Sequence, residues 1–317
     1  MKIVILDGYA MNPGDLSWDG LNQLGECQVY DRTQTAEIFN RIVDSNVVIT
    51  NKAPIDENLI EKLPNLQYIG VTATGYNVVD VRTAKRKGIV VTNIPAYSTD
   101  SVAQLVFSHI LNIVNRVELH ATSVQLGEWT KSPDFAYWKS PQIELTGKTL
   151  GIIGFGRIGR KVAQIAEAFG MKVIFHNRSQ VTDAPINMSQ ITLEEVFAES
   201  DVVSINCPLS AENSGFINLK LLEKMKKSAI LINTGRGGLI NEMDLAIALN
   251  DGIIAAAGLD VLSTEPPKPD NPLLRAKNCF ITPHIAWATL EARHRLMNIT
   301  VENLQRFISG NPQNVVN

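Results

Sequence analysis

A chain of 317 residues, 45% hydrophobic and 19% charged with a formal net charge of -3, has the balance of a globular enzyme of two domains. It carries no basic block, and no apolar run reaches the ~18 residues of a membrane span, which excludes nucleic acid as the main partner and the bilayer as its home. Cys27, Cys207 and Cys279 are odd in number, scattered and without metal-ligand spacing, so no metal is expected and a reducing, cytoplasmic location is.

The N-terminal stretch Met1-Lys2-Ile3-Val4-Ile5-Leu6-Asp7 has too short an apolar run for a signal peptide and reads as a first strand. Apolar runs recur at 46–50, 66–73 and 89–92, with amphipathic segments of helical spacing at 35–44 and 56–63. This alternation predicts a parallel sheet covered by helices. The run at 66–73 leads into Val71-Thr72-Ala73-Thr74-Gly75-Tyr76-Asn77, where backbone N–H groups at Thr74 and Gly75 could seat a small carboxylate; an ordinary strand-end turn is the alternative. The polar, proline-containing stretch from Asn93 to Ser101 precedes a helix expected over 102–120 and marks a crossing between domains. His109 inside that helix reads as packed or interfacial. Trp129, Phe135, Tyr137 and Trp138 crowd the irregular stretch 121–147, as an interface arm or as packing on their own domain.

Then comes the segment with the clearest chemistry, Thr149-Leu150-Gly151-Ile152-Ile153-Gly154-Phe155-Gly156-Arg157-Ile158-Gly159-Arg160. An apolar strand runs into G-x-G-x-x-G, a helical segment over 161–169 follows, and a second strand over 172–177 completes a dinucleotide-binding unit. Gly154 permits the tight turn, Gly156 lets backbone approach a pyrophosphate, and Gly159 lets helix and strand pack closely. The N–H groups and positive dipole end of the helix face the phosphates. Where NAD enzymes place an acid for the ribose 2′-hydroxyl, this chain has neutral Asn177 followed by Arg178. An arginine there pairs with a 2′-phosphate, so NADP(H) is favoured over NAD(H). In the alternative, Arg178 points to water and Asn177 bonds the 2′-hydroxyl. Further strands are expected at 202–206, 230–233, 254–259 and 279–281, with helices near 193–199, 219–225 and 242–249 and a last one starting near Trp287. Three strand ends carry ionisable groups: Arg236 between glycines, Asp260 with Glu265 in a proline-stiffened loop, and His284. The planar fork of arginine matches a 2-oxo carboxylate, and histidine exchanges protons near neutral pH.

Four motifs, Gly154-Phe155-Gly156-Arg157-Ile158-Gly159, Asn233-Thr234-Gly235-Arg236-Gly237, Gly258-Leu259-Asp260-Val261 with Glu265-Pro266, and Thr282-Pro283-His284-Ile285, occur in this order. On them the chain resembles the D-isomer-specific 2-hydroxyacid dehydrogenase family over essentially its whole length. The resemblance implies a doubly wound Rossmann domain over 101–285, inserted into a smaller flavodoxin-like α/β substrate domain formed by 1–100 and 286–317. It implies a catalytic set of Arg236, Glu265 and His284, with Asp260 at the nicotinamide end and Cys207, Pro208 and Thr234 along the cofactor groove. It also implies that backbone at Thr74 and Gly75 holds the substrate carboxylate in a cleft between the domains. A homodimer built on the helix after residue 101 and the arm to about 147 is implied as well.

Within the family, the stretches Asn93 to Gln104 and His284 to Thr289 look most like the glycerate dehydrogenase, or hydroxypyruvate reductase, group. Trp287 beside the catalytic histidine would narrow the pocket toward a short substrate. The chain ends soon after its last helix, without the C-terminal regulatory region of many phosphoglycerate dehydrogenases. The expected reaction is reversible reduction of hydroxypyruvate, and of glyoxylate, to the D-2-hydroxy acid. The competing readings are a D-lactate or branched-chain 2-oxo acid reductase and a dinucleotide-sensing binding protein; the complete catalytic set argues against the second.

Overall fold

The computed structural model describes residues 1–317, which divide into two units. The first comprises Met1–Tyr97 and Ala288–Asn317. Its strands are β1 (Lys2–Ile5), β2 (Glu26–Val29), β3 (Val47–Thr50), β4 (Tyr68–Val71) and β5 (Val90–Thr92). They form a parallel sheet in the order β2-β1-β3-β4-β5, the flavodoxin-like winding. Strands β3 and β4 are buried throughout, as expected of strands covered on both faces. Val4, Ile42, Val48, Ile69 and Val91 pack on one face; Ile3, Ile5, Val47, Ile49, Tyr68 and Leu304 pack on the other. The apolar pattern does not reveal β2, because this edge strand alternates exposed and half-buried residues and carries only Cys27 and Val29 as apolar side chains.

The second unit, Ser98–Trp287, holds β6 (Thr149–Ile153), β7 (Lys172–His176), β8 (Ser189–Gln190), β9 (Val202–Ile205), β10 (Ile230–Asn233), β11 (Ala256–Leu259) and β12 (Cys279–Ile281). All are parallel, in the order β12-β11-β10-β9-β6-β7-β8. The winding reverses direction between β6 and β9, and ligands of open α/β sheets bind at such a switch point, beyond the strand ends. One apolar cluster, including Val196, Phe197, Leu222 and Leu245, backs one face; another, including Phe107, Ile110, Val162 and Phe175, backs the other.

The helix expected over 219–225 stops at Leu222, and three others start or break elsewhere than the pattern suggests, each for a local reason. The helix expected over 102–120 runs from Thr99–Asn115 and breaks at Arg116, whose φ of 50° and ψ of 45° are left-handed; a second helix follows at Val117–Gln125. The helix after the glycine turn spans Arg157–Ala168, four residues earlier than expected, because Gly156 is its N-cap and the glycine motif forms its first turn. The last helix, Leu290–Ile308, starts after Trp287 because Thr289 accepts a hydrogen bond from the Ala292 N–H and caps it. No helix is long and apolar enough to cross a membrane.

Candidate active site

The glycine turn leaves β6 at the switch point, and its three glycines do different work. Gly154 has φ +93°, and a Cβ there would lie 2.7 Å from the Cys207 nitrogen, so the turn rests against the backbone at the end of β9. A Cβ at Gly159 would lie 2.3 Å from the Gly154 carbonyl oxygen, which makes glycine the condition for helix and strand to close up. At Gly156 a Cβ would meet nothing within 4 Å, and this is the open ground that a pyrophosphate would occupy. Nearby strand ends supply two buried acceptors without partners, Thr234 Oγ1 after β10 and Asn206 Oδ1 after β9. Buried polar atoms are seldom left unsatisfied, so this pair fits a ligand rich in hydroxyl and amide groups. The site therefore suits a dinucleotide.

Other residues expected in the groove vary in how they present themselves. The Phe155 ring is buried, stacked on Phe175 with centroids 4.0 Å apart, and the Arg160 guanidinium lies 4.8 Å from its centroid. The Phe155 N–H donates to Asn177 Oδ1 at 3.3 Å. Arg157 is exposed at the start of the helix and Ile158 is half-buried. The Asn177 amide donates to the Ser179 carbonyl at 3.0 Å, while Arg178 is exposed. Cys207 is half-buried, and burial raises its thiol above the usual range. The Pro208 carbonyl accepts from Asn213.

The ionisable strand ends are built with comparable economy. Asn233, fully buried at the end of β10, donates from Nδ2 to the Arg236 carbonyl at 3.0 Å and accepts the Gly235 N–H at 3.0 Å. This fixes the turn that displays Arg236, which is exposed and gives one N–H to the Gly235 carbonyl at 2.8 Å. A Cβ at Gly237 would fall 1.9 Å from the Leu262 carbonyl carbon, so the Arg236 turn lies directly on the loop leading to Glu265. That loop is held by Glu242, which accepts from the Ser263 N–H at 2.7 Å and the Asn271 amide at 2.8 Å. Glu265 Oε1 accepts from the Leu262 N–H, and Oε2 lies 2.6 Å from His284 Nδ1. A carboxylate only accepts, so Nδ1 carries a proton and Nε2 is the ring atom left to exchange one.

His284 itself has φ 55°, a region that side chains other than glycine seldom adopt. Its N–H is shared between the carbonyls of Asp260 at 2.9 Å and Thr282 at 3.0 Å. The Asp260 side chain, from a residue 1% exposed, accepts three hydrogen bonds: from Ile285 N at 2.9 Å and Thr282 Oγ1 at 2.6 Å on Oδ1, and from Ala286 N at 2.8 Å on Oδ2. Expected from resemblance to stand at the nicotinamide end, Asp260 is in this structure the anchor of the histidine loop.

His284 and Glu265 are thus in direct contact, and the loops of Arg236 and Glu265 touch through Gly237 and Leu262. Trp287 follows in the same unit and is half-buried. Thr74 and Gly75 belong to the first unit. Their N–H groups donate to nothing within the chain, while the Thr74 hydroxyl donates to the Ile94 carbonyl and the Thr74 carbonyl accepts from Asn93. Behind them Asp7 gathers three N–H groups, from Asn51 at 2.7 Å, Lys52 at 2.5 Å and Ala53 at 3.0 Å, and Asn51 donates to the Thr72 carbonyl at 2.8 Å. Motif reading misses Asp7 and Glu242, and it includes Asn233 without assigning it a role. Only Asn233 leaves a trace in the sequence, as the polar last residue of an apolar strand. No group of three or more His, Cys, Asp or Glu side chains is placed to hold a metal ion.

Comparison with known proteins bears on this geometry directly. Residues 107–286 match the family model described as D-isomer specific 2-hydroxyacid dehydrogenase, NAD binding domain. A hydroxypyruvate reductase of Blautia hydrogenotrophica is 52% identical over 100% of both chains. A glycerate dehydrogenase of Methylorubrum extorquens is 39% identical over 99% of this chain and 98% of its own. Among solved structures, an acyclic imino acid reductase in complex with NADPH and D-Arg superposes with a TM-score of 0.86 at 33% identity, covering 100% of both chains. D-lactate dehydrogenase with NAD+ from Lactobacillus jensenii gives 0.82 at 26%, covering 100% of this chain and 99% of that one. The histidine–glutamate pair, the arginine turn and the glycine-capped helix stand within that shared framework, and the chain belongs to the D-isomer-specific 2-hydroxyacid dehydrogenase family.

Proposed function

We propose that this enzyme reduces hydroxypyruvate, and glyoxylate as a second substrate, to the D-2-hydroxy acid, with NADPH preferred over NADH. The observation that carries the reading is the 2.6 Å contact between His284 Nδ1 and Glu265 Oε2, in a unit whose glycine turn is open for a dinucleotide. When bound, the reduced nicotinamide supplies the hydride that adds to C2 of the 2-oxo acid. His284 gives the proton from Nε2 to the oxygen on C2 as negative charge builds there, and Glu265 orients the ring through its hydrogen bond to Nδ1. Arg236 has five N–H donors and uses one on Gly235, so the rest of its fork is available to orient the substrate and stabilise charge on the same oxygen. The N–H groups of Thr74 and Gly75 are assigned to the substrate carboxylate. In the reverse direction His284 accepts the proton.

Trp287 next to the histidine loop favours a short side chain on the substrate, and the names of the two curated relatives point to the same substrate class. The preference for NADPH rests on Arg178, exposed beside Asn177 where an acid would repel a 2′-phosphate. A homodimer using the helix after residue 101 and the arm to about 147, and a cytoplasmic location, complete the reading. The location is supported by three unpaired cysteines, Cys27, Cys207 and Cys279, each with its thiol raised by burial.

The test is kcat/KM for hydroxypyruvate, glyoxylate, pyruvate and 2-oxoisocaproate, each with NADPH and NADH. Hydroxypyruvate should lead 2-oxoisocaproate by about tenfold or more, the scale on which pockets sort apolar side chains. Preference for pyruvate or 2-oxoisocaproate would instead assign a D-lactate or branched-chain enzyme, and preference for NADH would overturn the role given to Arg178.

A further inference from the structure

We propose that His109 and Thr282 are positioning residues for His284, acting through the Asp260 carboxylate. The proposal rests on His284 being the proton-exchanging group, as above. Because His284 is held in a left-handed conformation, the ring's aim depends on the segment that carries it. Both N–H groups that follow, at Ile285 and Ala286, end on Asp260, so a rotation of that carboxylate would move the segment.

Thr282 is the third donor to Asp260 and the only side chain among the three. Its hydroxyl has a single hydrogen, and the 2.6 Å distance assigns it to Asp260 Oδ1 over the Leu259 carbonyl at 3.5 Å. His109 Nε2 lies 3.1 Å from Thr282 Oγ1, whose hydrogen is already committed, and must therefore be the donor in that contact. A directed chain results, from the His109 ring N–H to the Thr282 hydroxyl to Asp260 and so to the backbone beside His284. His109 has no room to withdraw. It is 4% exposed, and a Cβ on Gly258 of β11 would come within 2.7 Å of its own Cβ. Burial holds its ring below the ordinary histidine range, with the nearby Asp260 charge opposing, which keeps it neutral with one N–H.

The helix Thr99–Asn115 carries His109, and its first turn makes a second, independent contact with the same segment: the Ser101 hydroxyl donates to the Ala286 carbonyl at 2.7 Å. One helix thus holds the histidine loop at residue 282 and at residue 286. His109 and Ser101 are buried and Thr282 is half-buried, and the function assigned to them is alignment.

The experiment compares Thr282→Val and His109→Leu, which break the chain, with Thr282→Ser and His109→Gln, which keep a donor in place, in the full-length enzyme. The first pair should lower kcat about 10- to 100-fold, the scale of a misplaced catalytic group, and enlarge the kinetic isotope effect with C4-deuterated cofactor. Cofactor Kd by fluorescence titration should change less than about twofold, and the second pair should recover kcat to within about threefold of the parent. Wild-type kcat in Thr282→Val and His109→Leu would overturn the proposal. So would a loss matched by the conservative variants or by an equal weakening of cofactor binding, which would mark a general packing defect. Should Thr282→Val fail to fold, the His109 pair decides alone. His284→Ala in parallel separates the two levels: full activity there refutes the proton-transfer assignment, whereas its inactivity beside an unaffected Thr282→Val refutes only the positioning role.

Discussion

Glu265 and His284 are 19 residues apart in sequence and share a hydrogen bond of 2.6 Å, the length of a charge-assisted contact. Glutamine at position 265 keeps the shape and an acceptor oxygen but removes the charge that faces the ring. Glu265→Gln should therefore lower kcat about 10- to 100-fold, within the usual range for acid–base groups, while cofactor affinity stays close to that of the parent. Steady-state kinetics and fluorescence titration on one preparation check both halves; an unchanged kcat would detach Glu265 from the chemistry. The residues proposed to carry this chemistry are legible in the sequence because each stands at a strand end among glycines or prolines. Their supports are not. Glu242 holds the Ser263 N–H from 21 positions away and Asp7 holds Lys52 from 45, contacts that no local pattern encodes.

Elements rather than single residues decide how the cofactor is received. The three glycines of the turn share one sequence signature, yet the structure gives them different physical duties, which alanine substitutions should separate. At Gly154 and Gly159 a methyl group meets backbone at 2.7 and 2.3 Å, so either substitution should impair folding. Gly156 is different. Its φ of -84° and ψ of -161° suit any residue, and its missing Cβ faces open space. Gly156→Ala should melt within about 2 °C of the parent, as expected where no contact is lost, and yet weaken dinucleotide binding about tenfold or more by occupying the approach of the pyrophosphate. Calorimetry and a binding titration decide it; undiminished affinity would move the phosphates off this turn. The alternation of strands and helices is itself legible, because continuous apolar runs such as Val47–Thr50 mark strands covered on both faces. Edge strands escape that reading. β2 is half exposed and β8 has two residues, too few for any periodicity. The break at Arg116 is equally hidden, since a left-handed residue inside an amphipathic run leaves the hydrophobic pattern intact.

At the scale of the whole molecule the question is what covers the arm. After the helix Val117–Gln125 the chain has little regular structure, but it is not loosely held. Tyr137 and Ser123 share a hydroxyl contact at 2.7 Å, the Lys139 N–H donates to His120 Nε2 at 3.0 Å, Trp129 Nε1 donates to the Phe135 carbonyl at 3.0 Å, and Lys139 pairs with Glu128. Polar groups face inward to the arm's own helix, and large apolar ones face out: Phe135 is 92% exposed, Trp138 73%, Leu126 70% and Val117 68%. A fixed surface carrying several exposed large apolar side chains is the signature of an interface. It agrees with the dimer proposed above, in which two arms bury these side chains against the partner. Phe135→Asp with Trp138→Asp should therefore convert a dimer into a monomer, because the interface would have to bury two carboxylates without partners. Light scattering coupled to size-exclusion chromatography at micromolar concentration reads the mass, and far-ultraviolet circular dichroism confirms that the variant remains folded. A parent protein that already runs as a monomer, or a double variant that stays dimeric, would remove the arm from the interface and require a different occupant for its apolar face.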